Sequence, residues 1–325
     1  ETGYFQTLKL YAMTLLPATV SDVQIAGVIQ FFEEELGATR NPTGSLSNYW
    51  RSRTDLVAPK FDGIDFSGVT NFSVCWFGCS SLESFPGTLD LSSGTDFSQC
   101  WRGCISLEEF PGDLDLSSGT NLSQSWRGCS SLEEFPGDLD LSSGTNFSQS
   151  WYGCSSLEEF PGDLDLSSGT NLSQSWRGCS SLEEFPGDLD LSSGTDFSYC
   201  WYNCTSLEEF PGTLDLSSGK TFGSCWRNCS SLEDFPANLF DYWSPGTPYA
   251  GCFDYAWDGC SSLTATSVEN ILNSIATSGV DAPAIGPDIT IDYDDGTGPP
   301  DITSAVATLK ACSPAWTITL NGTPQ

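Results

Sequence analysis

The sequence has no histidine, one methionine and only 11 basic residues against 43 acidic ones, so its 325 residues carry a formal net charge of −32. Without histidine, the chain lacks the commonest general base and a common metal ligand. The negative charge repels phosphate groups, so we expect neither nucleic acid nor anionic lipid as a partner. No apolar run approaches the roughly 20 residues that cross a bilayer, so we expect no membrane insertion.

What the sequence does contain is a repeated segment. Residues 129–154 read CSSLEEFPGDLDLSSGTNFSQSWYGC, and closely related segments precede and follow them. The cysteine that opens each unit recurs every 25 residues, and once more after a six-residue insertion, at Cys79, Cys104, Cys129, Cys154, Cys179, Cys204, Cys229 and Cys260. A constant period of this size is typical of a solenoid, in which each unit is one coil and equivalent residues stack into columns.

Each unit divides into three predicted elements. From Thr145 to Cys154, apolar residues recur at i, i+4 and i+7, which predicts a short helix with one buried face. Residues 157–160 predict a strand that Pro161-Gly162 ends, and residues 164–166 predict a second strand. The apolar columns should therefore point inward, including a tryptophan column at Trp76, Trp101, Trp126, Trp151, Trp176, Trp201, Trp226 and Trp257.

The unit resembles the leucine-rich repeats of BspA-like surface proteins. The matching segments are Trp126-Arg127-Gly128-Cys129, Leu132-Glu133-Glu134-Phe135-Pro136 and Leu139-Asp140-Leu141, and the likeness extends over about residues 56–264. The resemblance implies an α/β leucine-rich-repeat solenoid of about eight 25-residue coils, with capping segments at both ends. Because that family is mostly adhesive, it also implies a binding role at a cell or virion surface.

The two ends depart from the repeat, since a bare terminal coil would expose its core. We therefore expect an N-terminal cap at 1–54, a solenoid at 55–264 and a C-terminal α/β cap at 265–325. A strand at 8–12 and a helix from Ser21 to Leu36 are similar to the last elements of a concanavalin/LamG-like domain.

At the C-terminal end, the sequence predicts a helix that opens at 268–272, a strand at 289–291, a helix at 302–312 and a strand at 316–320. This order is similar to the C-terminal caps of repeat proteins in marine phages, which occur among tail-fibre and adhesin proteins.

A second set of cysteines lies four residues before the column cysteines, at Cys75, Cys100, Cys200 and Cys225, and serine replaces it at Ser125, Ser150 and Ser175. We expect disulfides between neighbouring coils, Cys75–Cys100 and Cys200–Cys225, if their Cα atoms lie about 4.4–6.8 Å apart. The alternative is pairing within one turn, such as Cys75 with Cys79. Either arrangement would place the protein outside a reducing cytosol.

Acidic residues also recur once or more in each coil. Stacked strands lie about 4.8 Å apart, so each carboxylate faces like charges in the neighbouring coils. The columns are a solvated face screened by salt, a ladder of Ca²⁺ sites, or a surface for a cationic partner. The candidate Ca²⁺ ligands are Asp90, Asp115, Asp140, Asp165, Asp190, Asp215, Glu108, Glu133, Glu158 and Glu183.

The residue that follows each tryptophan should point outward if the tryptophan points inward. Arginine and tyrosine, which are common at binding hot spots, predominate at this position. It is the candidate recognition strip, with an ordinary solvated face as the alternative, and it comprises Phe77, Arg102, Arg127, Tyr152, Arg177, Tyr202, Arg227 and Asp258.

No catalytic constellation is recognisable, because there is no histidine, no phosphate-binding loop and no activated nucleophile. A carboxylate pair for glycoside hydrolysis should occur once, in a cleft, whereas here it recurs in every coil. We therefore expect a non-enzymatic extracellular adhesin, receptor-binding or fibre protein that binds a surface glycan or protein. The alternative is an architectural subunit of a self-assembling fibre or surface layer.

Overall fold

The computed structural model describes residues 43–59, 65–87 and 89–325. The predicted strand at 8–12, the predicted helix from Ser21 to Leu36, and the LamG-like resemblance that rests on them lie outside the described residues.

Each coil contains a run of consecutive turns where the sequence predicts a helix. The backbone amides in this run alternate between a carbonyl acceptor in the same coil and a carbonyl acceptor in the next coil. Within the coil, Ser150 N–H donates to the carbonyl of Phe147 at 3.0 Å. The amides of Phe147 and Trp151 instead donate to Asn171 and Ser175 in the next coil, both at 2.9 Å. A helix would satisfy all of these groups internally, so the helix prediction is wrong.

A left-handed residue inside each turn explains the difference. Gln149 has φ 59° and Gly153 has φ 73°, as expected at the third position of a type II turn. Such values interrupt a right-handed helix and cost roughly 1–2 kcal/mol at a non-glycine residue. The pattern recurs along the chain, with positive φ at Val74, Gln99, Gln124, Gln149, Gln174, Tyr199, Ser224 and Tyr255.

Parallel pairing between coils is strongest at the N-terminal end. Strand β1 (Thr43–Ser45) pairs with β2 (Gly68–Asn71). Further along, the pairing contracts to single bridges at the same column, of which Asn121 with Asn146 is one. The predicted strand at 157–160 and its equivalents reduce to isolated bridges such as Glu109 with Glu134. In the described chain, residues 164–166 belong to no strand or bridge.

The stacking also extends upstream of the boundary predicted at residue 55. Trp50 lies parallel to Trp76 with ring centroids 5.3 Å apart, and Leu46 N–H donates to the carbonyl of Asn71 at 2.9 Å. Residues 43–56 therefore occupy the position of a further coil, offset by 26 residues from the next.

The interior is a stack of aromatic rings. The tryptophan column from Trp76 to Trp257 is fully buried, and successive centroids lie 5.2–5.7 Å apart with nearly parallel planes. A phenylalanine column packs edge-on against it, as Phe160 does against Trp151 at 4.9 Å and 78°. Such pairs contribute about 0.5–1.5 kcal/mol each beyond burial. The prediction that these side chains point inward is confirmed.

The predicted C-terminal elements are also confirmed. They are α1 (Ala265–Ser278), β3 (Asp288–Ile291), α2 (Thr303–Ala311) and β4 (Thr317–Leu320). The structure adds two elements that were not predicted, a 3₁₀ turn (Asp295–Thr297) and β5 (Thr323–Pro324). β3 pairs in parallel with β4, which pairs in antiparallel with β5.

This C-terminal unit lies directly against the last tryptophan coil. Thr264 caps α1 by accepting from the Ser267 amide, and Gly279 ends the helix in a left-handed conformation. The backbone amide of Trp257 donates to the carbonyl of Thr290 at 3.4 Å. Strand β3 therefore occupies the place that a further coil would take. Among the described residues, no helix is both long and apolar enough to cross a membrane.

The coil packing gives a matched pair of glycine substitutions. A Cβ at Gly144 would lie 2.2 Å from the buried Phe147 ring. In the preceding coil Leu122 stands in the place of Phe147. There a Cβ at the equivalent Gly119 would lie 2.9 Å from the Leu116 carbonyl oxygen. We expect Gly144→Ala to lower the free energy of unfolding by about 2–3 kcal/mol and Gly119→Ala by about 1 kcal/mol. Adding Phe147→Leu to Gly144→Ala should reduce the additional cost of the alanine. Equal costs for the two glycines in denaturant titrations would contradict this packing.

Candidate functional site

The residues of the predicted recognition strip do stack in one column, which we call the arginine–aromatic strip. It keeps seven of the predicted residues, adds Arg51, which the sequence did not single out, and leaves out the predicted Asp258, so that it comprises Arg51, Phe77, Arg102, Arg127, Tyr152, Arg177, Tyr202 and Arg227. Their side chains are half-buried or exposed, because the neighbouring tryptophan of each coil takes the inward direction.

Arginines and aromatic rings alternate along most of this strip, and each ring receives guanidinium groups from neighbouring coils. The Arg127 guanidinium carbon lies 4.3 Å from the Tyr152 centroid, and that of Arg177 lies 5.3 Å from it. Arg177 also lies 4.5 Å from the Tyr202 centroid. Such contacts contribute about 0.5–1 kcal/mol at exposed sites, so the strip also helps to hold the coils in register.

Sequence reasoning missed the glutamine column beside the strip. Arg102 Nη1 donates to Gln99 Oε1 at 3.0 Å and to Gln124 Oε1 at 2.7 Å. Arg127 Nη1 likewise donates to Gln124 Oε1 and to Gln149 Oε1. The available signal was the constant spacing of three residues between each glutamine and the strip residue that follows it.

Carboxylates are largely absent from this surface. Arg227 Nε lies 2.7 Å from Asp258 Oδ2, an ion pair whose geometry is not that of a hydrogen bond. Within the described ranges, Arg102, Arg127 and Arg177 form no ion pair with any carboxylate. In a chain with 43 acidic residues, three cationic groups that bond neutral amides instead of carboxylates make a distinct surface.

The glutamate columns lie on another wall of the coil. Trp101 points inward from the strip and Phe110 points inward from the Glu108–Glu109 wall, and their rings meet at 4.9 Å in the core. The two charged surfaces are therefore separated by the aromatic interior.

The aspartate column has a local structural role. Asp140 Oδ1 accepts from both the amide (3.0 Å) and the hydroxyl (2.6 Å) of Ser142, which closes a turn in the way aspartate commonly does. At the equivalent Asp190, the hydrogen bonds from Ser192 lower the pKa of the carboxyl group. No three acidic or thiol side chains of the described chain are grouped so that they could hold a metal ion. Ca²⁺ binding by these columns stays a prediction.

The predicted disulfides are absent. Cys75, Cys100, Cys200 and Cys225 are buried and form no disulfide, so neither pairing between coils nor pairing within a turn occurs. The disulfides therefore no longer support a location outside a reducing cytosol.

A hydrogen bond explains why serine can replace cysteine at this second position. Ser125 Oγ donates to the carbonyl of Phe97 at 2.7 Å, and Cys200 Sγ donates to that of Leu172 at 3.2 Å. Serine and cysteine can therefore both donate to a carbonyl of the preceding coil from this position.

Thiol reactivity tests this arrangement. Burial raises the pKa of Cys129 to about 12, and that of Cys204 likewise, so both thiols stay protonated and unreactive at pH 8. Of the 14 cysteines only Cys312 is partly exposed. We expect Ellman's reagent to titrate about one thiol per native chain and all 14 in denaturant without reductant. A count of ten reactive thiols per chain in denaturant would instead indicate that four cysteines form the two predicted disulfides.

No protein-family model matches the chain, and no curated protein matches it. Among solved structures, a leucine-rich repeat protein from Bacteroides ovatus is 15% identical over 78% of this chain and 76% of its own length, with a TM-score of 0.31. A chain of the TLR13–ssRNA13 complex is 13% identical over 75% of this chain and 35% of its own length, with a TM-score of 0.28. At these TM-scores neither similarity carries an argument, so the fold rests on the contacts described above.

Proposed function

We propose that this chain is a non-enzymatic binding protein that recognises a surface glycan or protein through the arginine–aromatic strip. The observation that carries the proposal is that Arg102, Arg127 and Arg177 lie among aromatic rings and pair with no carboxylate of the described residues. Arginine and tyrosine are the residue types that most often dominate binding free energies.

The setting of the strip also favours recognition. Each strip residue sits on a coil whose turns are bonded to the next coil, and the guanidinium groups are held by neighbouring rings and glutamines. Side chains that are ordered before binding lose little conformational entropy when a ligand arrives. By contrast, equivalent carboxylates repeat in successive coils, whereas a glycosidase needs one carboxylate pair in one cleft, so the repetition does not favour a glycosidase.

We further propose that the protein works outside the cell, as an adhesin or as part of a phage tail fibre. Support comes from the BspA-like segments and the phage-like C-terminal element order of the sequence. The LamG-like resemblance of the N-terminal sequence fits an adhesive role as well.

A second candidate is an architectural subunit of a self-assembling fibre or layer. The specific observation in its favour is that the basic strip and the glutamate columns lie on different walls of the coil. Such complementary surfaces on one chain permit open-ended association of copies. This candidate predicts a mass by light scattering that rises with concentration at low salt, whereas the first predicts a constant mass.

The first candidate is tested with an array of microbial surface glycans and with intact cells. We expect the triple variant Tyr152→Ser, Arg177→Gln, Tyr202→Ser to weaken binding at least about fivefold, since it removes several hot-spot side chains. The matched control Glu133→Gln, Glu158→Gln, Glu183→Gln alters the acidic wall and should retain binding. No wild-type ligand on either format, or equal losses in both triple variants, would refute recognition by the strip.

A further inference from the structure

We propose that Arg102 and Arg127 together bind one oxyanion group, a sulfate or a carboxylate, that is carried by a surface glycan. This inference rests on the binding function proposed above and assigns a ligand chemistry to one part of the strip.

Arg102 and Arg127 are the strip's one pair of arginines in successive coils. Both Nη1 atoms donate to Gln124 Oε1, at 2.7 and 3.4 Å, so they lie no more than about 6 Å apart. Charge-assisted N–H···O bonds are roughly 2.7–2.9 Å long, so a single sulfate or carboxylate between the two guanidinium groups reaches both.

Donor groups remain available for such a ligand. Protein acceptors occupy only Nη1 of each guanidinium group, and among the described residues Nε and Nη2 of both arginines bond no protein atom. A guanidinium group has five N–H donors in a planar fork, and this fork matches the paired oxygens of a carboxylate or sulfate.

Arg102 and Arg127 also carry two positive charges. Within the described part of the chain, neither guanidinium group has a carboxylate partner. The acceptors are amide oxygens of Gln99, Gln124 and Gln149, which carry no formal charge. Partial burial, and to a smaller extent the charge of Arg127, lower the pKa of Arg102. Two like charges held side by side repel each other, and a bound anion removes this repulsion.

Aromatic rings close the two ends of the site. The Arg102 guanidinium lies 5.3 Å from the Phe77 centroid, and that of Arg127 lies 4.3 Å from the Tyr152 centroid. These contacts restrict both arginines before the ligand arrives. They also place the edges of two rings beside the anion, where the apolar face of a sugar can contact them.

The rest of the strip does not offer the same geometry. Arg177 is two coils from Arg127 and from Arg227, which corresponds to about 10 Å at the usual strand spacing. A single oxyanion does not bridge that distance, and Arg227 is already paired with Asp258.

The large negative charge of the chain does not prevent this binding, because the glutamate columns lie on another wall of the coil, across the aromatic core. Exposed charges separated by more than the Debye length, about 8 Å at physiological ionic strength, are largely screened from one another. Nucleic acid carries a far denser charge than a glycan with one anionic group per repeat, so the chain's net charge opposes it more strongly.

Calorimetric titration with three oligosaccharides of equal length tests the site: sulfated dextran, polygalacturonate and unmodified dextran. We expect wild-type protein to bind at least one of the two charged probes more tightly than dextran. Arg102→Gln and Arg127→Gln should each weaken that binding about tenfold, since a bond to a charged group is lost. Lys310→Gln is the control, since it removes the same charge from an exposed residue of α2 outside the strip, and it should weaken binding less than about twofold.

The possible results separate this site from the function it rests on. Equal weakening by Lys310→Gln would show general charge attraction and overturn the paired site, while the glycan array would still decide the binding function. Failure of both charged probes to exceed dextran would overturn the site as well. Tighter binding of a single-stranded oligodeoxynucleotide than of either charged glycan would overturn the glycan assignment. If a glutamine variant does not fold, Arg102→Lys keeps the charge but not the fork, and undiminished binding would refute the site.

Discussion

The backbone hydrogen bonds of the turn run are the constraint on which the other features depend. Alternate amides bond within the coil and across to the next coil, so each coil is fixed in height and register by its neighbour. This alternation requires a left-handed residue in the turn, which glutamine, tyrosine, serine and even Val74 supply at some energetic cost. Stacking of the tryptophan and phenylalanine columns offsets that cost, because the same register that aligns the amides brings the rings into parallel contact.

The outer surface inherits this register. Since one residue per coil points outward beside each tryptophan, a sequence alternation of arginine and aromatic residues becomes a physical alternation of cations and rings. The glutamines at the left-handed positions then provide uncharged acceptors for the arginines. A cationic surface, with Asp258 paired to Arg227 at one end, is thereby maintained on a strongly acidic molecule, and the place where two arginines meet differs from the rest of the strip.

Much of the interior was predictable from sequence, because a fixed period and buried side-chain types require only that equivalent residues stack. The turns were not, since turns that each direct one side chain inward give the same apolar spacing as a helix. The bonding partner of Ser125 was hidden because it depends on a carbonyl 28 residues earlier. The coil at 43–56 was missed because Tyr49 and Arg53 replace the cysteines that mark later coils. Within the strip, the side-chain types could be predicted. The pairing of Arg102 with Arg127 through Gln124 could not, because it depends on the side-chain conformations of residues in different coils.

Cross-linking of neighbouring coils tests the stacked register most directly. A Cβ at Gly153 would lie 4.0 Å from the Cα atom of Gly128, which suits a disulfide between cysteines at these two positions. Under mild oxidation, Gly128→Cys/Gly153→Cys should form an internal disulfide, detected by mass spectrometry of peptides. Gly128→Cys/Gly178→Cys, whose positions are two coils apart, should not. Cross-linking of the second pair in preference to the first would contradict coil-on-coil stacking with a period of 25 residues.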